Sequence, residues 1–130
     1  MRRLPLLFLF LLLLGVACSS GPTPEELASL AAEGYYRHLL KGEYEKFMKG
    51  KDGLDRMPED YREQMRAAYK QYMAQQQEVH RGILDVRVSN AKTDSSLHVT
   101  NVFLVLCFGD STNEEIAVPM VEREGRWRMR

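Results

Sequence analysis

The spacing of apolar residues changes once along this chain, at Gly82, and that change constrains the fold more than any other feature. Before Gly82 apolar side chains recur every three or four residues; after it they recur every second residue. The first rhythm lines one face of a helix and the second one face of a strand. Helices first, then an antiparallel meander, predicts an α+β domain. It would have three N-terminal helices packed on a curved antiparallel sheet of about four strands.

The helical half carries its own punctuation. Thr23-Pro24-Glu25-Glu26 reads as an N-cap threonine, a proline at the first helical position and a glutamate three residues after the cap. A helix beginning there would present Leu27, Leu30, Ala31, Tyr35 and Leu39 as an apolar stripe and stop at Gly42. A short segment from Glu43 to Lys49 would turn Tyr44, Phe47 and Met48 inward before Gly50, and Lys51 to Asp55 reads as a loop. Pro58-Glu59-Asp60 opens the longest helix, which runs to about Arg81. Its stripe is Tyr61, Met65, Ala68, Tyr72 and Val79, widened by Tyr69 and Met73.

In the second half Leu84, Val86 and Val88 alternate with Asp85, Arg87 and Ser89 as a half-buried strand. Asn90 to Ser96 reads as a turn. Leu97 and Val99 resume the alternation, and Val102 to Phe108 is apolar on both faces. The slip in parity at Thr100-Asn101 predicts a bulge there. Gly109 to Asn113 turns the chain again, and Ile116, Val118 and Met120 share one face of the next strand, where Pro119 implies an edge or a bulge. Glu122 to Gly125 is a hairpin turn, and Trp127 with Met129 closes a last short strand.

Ahead of this domain stands Met1-Arg2-Arg3, then an uncharged run from Leu4 to Ala17. Fourteen helical residues span roughly 21 Å, short of the roughly 30 Å of a bilayer's hydrocarbon core, so the run fits a secretory signal better than a membrane span. Leu14-Gly15-Val16-Ala17-Cys18 resembles the lipobox of bacterial lipoproteins, with Ala17 before the cut and Gly15 departing from the usual leucine. A diacylglycerol on the Cys18 thiol would contribute about 0.8 kcal/mol of membrane affinity per buried methylene. The expected organisation is a signal peptide over residues 1–17, a lipidated Cys18 and short tether over 18–22, and one domain over 23–130. The chain would be exported and held by its lipid to the cell envelope, at the outer membrane.

Charge and cysteines narrow the classes further. Cleavage after Ala17 removes two arginines and no acid from a chain with 18 basic and 18 acidic residues, leaving a net charge of −2. Without a basic surplus, nucleic acid is not an expected partner. With Cys18 acylated, Cys107 is the one remaining thiol and reads as a buried core cysteine. His38, His80 and His98 lie far apart and no metal-ligand spacing occurs, so neither a metal nor another cofactor is expected. His80 would complement a helix C-terminus, and His98 would sit on the outer face of the sheet.

The closing hairpin, Glu124-Gly125-Arg126-Trp127-Arg128-Met129, and the order of helices before meander together resemble the nuclear-transport-factor-two-like superfamily. More narrowly, the chain is similar to small lipoproteins of Bacteroidota. The resemblance spans roughly Thr23 to Arg130 and implies a cone, with a curved sheet wrapped around the long helix and open at one end to a pocket. Members of that superfamily include isomerases, ligand binders and dimerisation modules, so the fold does not select a function.

Catalysis of the isomerase kind needs a carboxylate base in an apolar pocket and a donor for the developing oxyanion. Tyrosine donors are plentiful here; inward-facing carboxylates are not, and Asp52 and Asp55 in the loop are the most permissive places to look. No catalytic residue is assigned. The favoured reading is a membrane-anchored, non-catalytic binding or interaction domain. One form accommodates a small apolar or amphipathic ligand lined by Tyr36, Tyr69, Met73 and Phe103. The other uses the sheet's outer face for an envelope protein or a homodimer.

Overall fold

The structure, a computed structural model, describes residues 21–130; the signal segment and Cys18 lie outside the described residues. Helix α1 spans Pro24–Leu40, α2 Tyr44–Met48 and α3 Glu59–His80, with a 3-10 turn at Leu54–Arg56 between the last two. Strands β1 (Ile83–Asp94), β2 (Val99–Phe108), β3 (Asn113–Arg123) and β4 (Arg126–Met129) form one antiparallel sheet in the order β1-β2-β3-β4. The α+β class, the three helices and the four strands are those the sequence predicts.

Helix α1 begins at the expected cap: the Thr23 hydroxyl accepts the Glu26 N–H at 3.2 Å, and Pro24 occupies the first turn. Its seated face differs from the predicted stripe. Leu30 is 71 % exposed and Leu27 39 %, whereas Ala28 and Ala32 are fully buried. The helix is rotated so that its alanines, not its leucines, meet the sheet. Small side chains let the helix backbone lie close over the strands, and that proximity outweighs burial of two larger side chains. Leu39, at the other end of the same face, is buried as predicted. Helix α1 thereby packs on all four strands.

Helix α3 is seated differently. None of its residues is fully buried, and Tyr61 (43 %) and Val79 (68 %), both in the predicted stripe, face solvent. Met65, Tyr69, Tyr72 and Met73 only lean on the core. The sheet therefore wraps around α1, which packs on all four strands, and not around the long helix, which meets chiefly α2 and β1. Helix α3 ends in a left-handed turn made by Arg81 (φ 61°) and Gly82 (φ 85°), which swings the chain into β1.

On β2 the even-numbered Val102, Leu104, Leu106 and Phe108 point into the core, while Phe103, Val105 and Cys107 are half-buried on the opposite face. Cys107 is thus not the core cysteine expected of it. The bulge predicted at Thr100-Asn101 is absent from β2. The irregularities lie in β1, between Ile83 and Asp85 and between Val88 and Asn90. They bend β1 and turn Leu84 outward, where it is 70 % exposed. Strand β1 continues to Asp94 through most of the predicted Asn90–Ser96 turn. The tight turn falls after it, where His98 takes a left-handed φ of 54° and is exposed in the loop, not on the sheet face. Thr100, the one buried polar residue among those described, meets the Thr93 hydroxyl at 2.9 Å. Pro119 lies where β4 runs out: its carbonyl accepts the Arg130 N–H at 2.9 Å. The final hairpin turns on Glu124 (φ 53°) and Gly125 (φ 77°), the paired positive φ of a type I′ turn.

Candidate functional site

Because α3 stands away from the sheet, a cleft of about 390 Å³ opens between it, α1, α2 and β3. Its walls are Tyr36 and Leu39 of α1, Phe47 of α2, Ala68, Tyr69 and Tyr72 of α3, and Ile116 and Ala117 of β3; Lys51 enters from below. The volume lies within the range of small-ligand sites, about 300–1,000 Å³.

Three rings brace one wall. Phe47 meets Tyr36 edge-on at 5.4 Å between centroids and Tyr69 at 4.9 Å. Such contacts contribute about 0.5–1.5 kcal/mol each beyond area burial and hold the rings in place. Burial pushes the Tyr36 phenol up to about 12, with the neighbouring Tyr72 and Tyr69 phenols adding to the shift. Tyr69 and Tyr72 are also raised, mainly by burial. The three phenols are therefore neutral donors clustered around one space. Among the described residues none of the three hydroxyls hydrogen-bonds to another protein group, whereas the Tyr35 hydroxyl donates to the Trp127 carbonyl at 2.7 Å.

Lys51 owes its position to the backbone around it. The Met129 N–H donates to the Gly50 carbonyl at 2.6 Å and the Asp52 N–H to the Met129 carbonyl at 2.8 Å, clipping this segment to the end of β4. Gly50 allows the approach, since a Cβ there would stand 2.5 Å from the Tyr35 ring. The Lys51 ammonium then lies 5.9 Å from the Phe47 ring centroid and 6.0 Å from that of Tyr69, at cation–π distance. Burial pulls it below the ordinary lysine value. Among the described residues it has no carboxylate within ion-pair distance, although Asp52 is the next residue; the Asp52 carboxylate takes the Arg123 guanidinium at 3.3 Å.

A larger hollow of about 950 Å³ lies between the 52–56 loop and the β3–β4 hairpin, but its character is different. Asp52, Asp55, Glu122 and Glu124 face Arg56, Arg123, Arg126 and Arg128 across an open groove, and their charges balance. Of the two loop carboxylates considered as a base, Asp55 is exposed in this groove, while the half-buried Asp52 borders both the groove and a small hollow of about 150 Å³ shared with Lys51 and Tyr69; neither lines the aromatic cleft. Of the four expected lining residues, the structure brings Tyr36 and Tyr69 together in the cleft. Met73 leans on the core beside it. Phe103 is on the far face of the sheet, because its odd parity opposes that of Val102 and Leu104. Tyr72 and Ile116 belong to the predicted apolar faces, but they and Lys51 are cleft residues that the sequence does not mark as such. No local pattern marks Lys51, which lies just past the end of α2 in the segment that reads as a loop.

The remaining histidines serve the frame. His80 Nδ1 lies 2.9 Å from Asp110 Oδ2 and its ring stacks on Phe108 at 4.4 Å, tying the end of α3 to the β2–β3 turn. His38 Nδ1 lies 3.0 Å from Glu43 Oε1 at the α1–α2 corner. Among the described residues, no three His, Cys, Asp or Glu side chains converge as a metal site would require, and no helix is long and apolar enough to cross a membrane.

No family model matches the sequence, and no curated protein does. Among solved structures the chain is similar to a Campylobacter jejuni protein described as a candidate NTF2-like transpeptidase. The TM-score is 0.60 at 12 % identity, over 75 % of this chain and 92 % of that one. At that identity the likeness is one of fold. It agrees with the helices-then-meander architecture seen here: the described residues share the α+β fold of that NTF2-like protein.

Proposed function

We propose that this is a lipid-anchored cell-envelope protein whose domain binds a small, largely apolar ligand without transforming it. The observation that carries the binding half is the cleft left by α3, with its braced aromatic wall and its unengaged phenols. Concave, mostly apolar sites with a few converging polar groups are the usual form of small-ligand pockets. The transpeptidase description of the Campylobacter jejuni protein is not carried over. Among the described residues the cleft walls hold no serine or cysteine, and Cys107 lies on the opposite face of the sheet.

The anchoring half rests on the signal-like run Leu4–Ala17 and on Ala17-Cys18. It predicts that a fatty-acid label enters the wild-type protein and is lost in Cys18→Ser; label persisting in that variant would refute it. Binding is tested on the mature chain carrying Cys18→Ser, free of detergent, by native mass spectrometry and by thermal shifts across amphiphilic metabolites. Retained ligand or a raised Tm supports the reading, and a flat panel counts against it.

A second reading, contact with an envelope protein or a second copy, draws on the half-buried Phe103, Val105 and Cys107 of the outer sheet face. It predicts concentration-dependent sedimentation or a crosslinked partner in cells. A monomer with no crosslink removes it.

A further inference from the structure

We propose that the cleft is selective for small amphiphilic anions, the Lys51 ammonium pairing with the ligand's single acidic head while the aromatic wall takes its apolar body. The inference rests on the ligand-binding reading above and deepens it. Three features carry it. Lys51 lines the cleft with its ammonium 5.9 and 6.0 Å from the Phe47 and Tyr69 ring centroids, and among the described residues no carboxylate lies within ion-pair distance of it. A partly buried cation without a counter-ion carries a desolvation cost that an anionic ligand would offset. Its neighbour Asp52 is held by Arg123, and the Gly50 and Asp52 backbone bonds to Met129 fix the segment, so the acid next to it in sequence is already committed elsewhere.

The surroundings decide the rest of the ligand. Tyr36, Tyr69 and Tyr72 line the same cleft as Lys51, stay protonated and bring hydroxyl donors suited to a carboxylate or sulfonate oxygen. The other walls include Leu39, Ala68 and Ile116, which give an anion's apolar body an apolar surface. The acid acting on this group is Glu114, which raises the Tyr72 phenol further. It sets a negative charge on the Tyr72 side and favours placing the acidic head toward Lys51. A cationic ligand would meet the Lys51 ammonium with no counter-charge in the cleft walls.

Two fluorescent probes that share an aromatic body isolate the contribution of the head. 8-Anilinonaphthalene-1-sulfonate carries one anionic group; N-phenyl-1-naphthylamine is the same body without it. Both are titrated into the mature Cys18→Ser chain, alone and combined with Lys51→Met, Lys51→Arg or Ala68→Trp. The expected result is tighter binding of the sulfonate, weakened about tenfold or more by Lys51→Met and preserved by Lys51→Arg, with the neutral probe unaffected by either. Ala68→Trp, which fills the cleft from α3, should abolish both signals. Equal sulfonate affinity in wild type and Lys51→Met would overturn the anion selectivity while leaving the cleft a binding site. Failure of both probes to bind wild type, or their survival in Ala68→Trp, would overturn the cleft as well. Competition by decanoate against competition by 2-naphthoate then tells an alkyl from an aromatic body, and displacement by neither contradicts the proposal.

Discussion

Helices α1 and α3 present apolar side chains to the same sheet, yet only one of them is part of the core. Helix α1 meets all four strands through Ala28 and Ala32, which are fully buried, and through Leu39. Helix α3 is longer and carries more tyrosine and methionine, but it has no fully buried residue and holds a cleft open in front of β3. The difference teaches that backbone proximity, set by side-chain size, decides which amphipathic helix closes a core. The bulkier helix is left to form the wall of a site. Stability and binding are in this way assigned to different helices.

Matched substitutions on the two helices break or sharpen that division. Leu39→Ala should cost about 2–5 kcal/mol, the usual range for a buried leucine, whereas Val79→Ala on α3 should stay within about 0.5 kcal/mol. Equal costs in urea denaturation would erase the distinction. Enlarging a small residue gives a finer contrast. Ala32→Leu has no room under α1 and should cost about 1–3 kcal/mol, while Ala68→Leu on the open side of α3 should be nearly neutral in stability. A tolerated Ala32→Leu would show that α1 does not lie close on the sheet.

Two pH effects probe the same division more gently. Tyr36 has a folded value raised from 10.0 to about 12. Its contribution is present below pH 10 and is lost as pH rises toward 12, so alkaline melts should fall across that window. Tyr36→Phe should flatten the fall, and an unchanged slope would contradict the buried phenol. At the acid end, Glu43 is held at about 2 by His38 and Lys46. Asp110 is held at about 2 by the Thr112 hydroxyl and by His80. Depressed carboxylates stabilise above their ordinary values, 4.5 and 3.8 here, and lose that contribution as pH falls toward 2. Both are solvated, so the effect is the smallest of the set. Asp110→Asn should remove part of the acid slope in thermal melts, and an identical slope would separate His80 and Asp110 from the joint at the end of α3.

Local signals in the sequence were strong where chemistry acts over three or four residues. Thr23 caps α1, the period changes at Gly82, and Glu124-Gly125 turns the last hairpin, each for a backbone reason readable in place. What depends on distant partners was not readable. Leu27 and Leu30 make as good a stripe as Ala28 and Ala32 until the sheet that selects the smaller face is known. The parity slip at Thr100 pointed to a bulge, but the partner strand β1 absorbs the irregularity. Phe103 lies in a run apolar on both faces, so composition could not say which face meets the core. Lys51 becomes a site residue only once Gly50 and Asp52 are clipped to Met129, a contact made across most of the chain.

The division between a seated and a standing helix is tested most directly by native-state hydrogen exchange, with and without 8-anilinonaphthalene-1-sulfonate. Elements with few buried contacts open below the global unfolding free energy. The structure predicts that amides of α1 from Ala32 to Leu39 exchange only through global unfolding. Those of α3 around Ala68 to Tyr72 should exchange faster and slow down when the probe binds. Equal protection in the two helices, or a probe that leaves α3 exchange unchanged, would contradict the account.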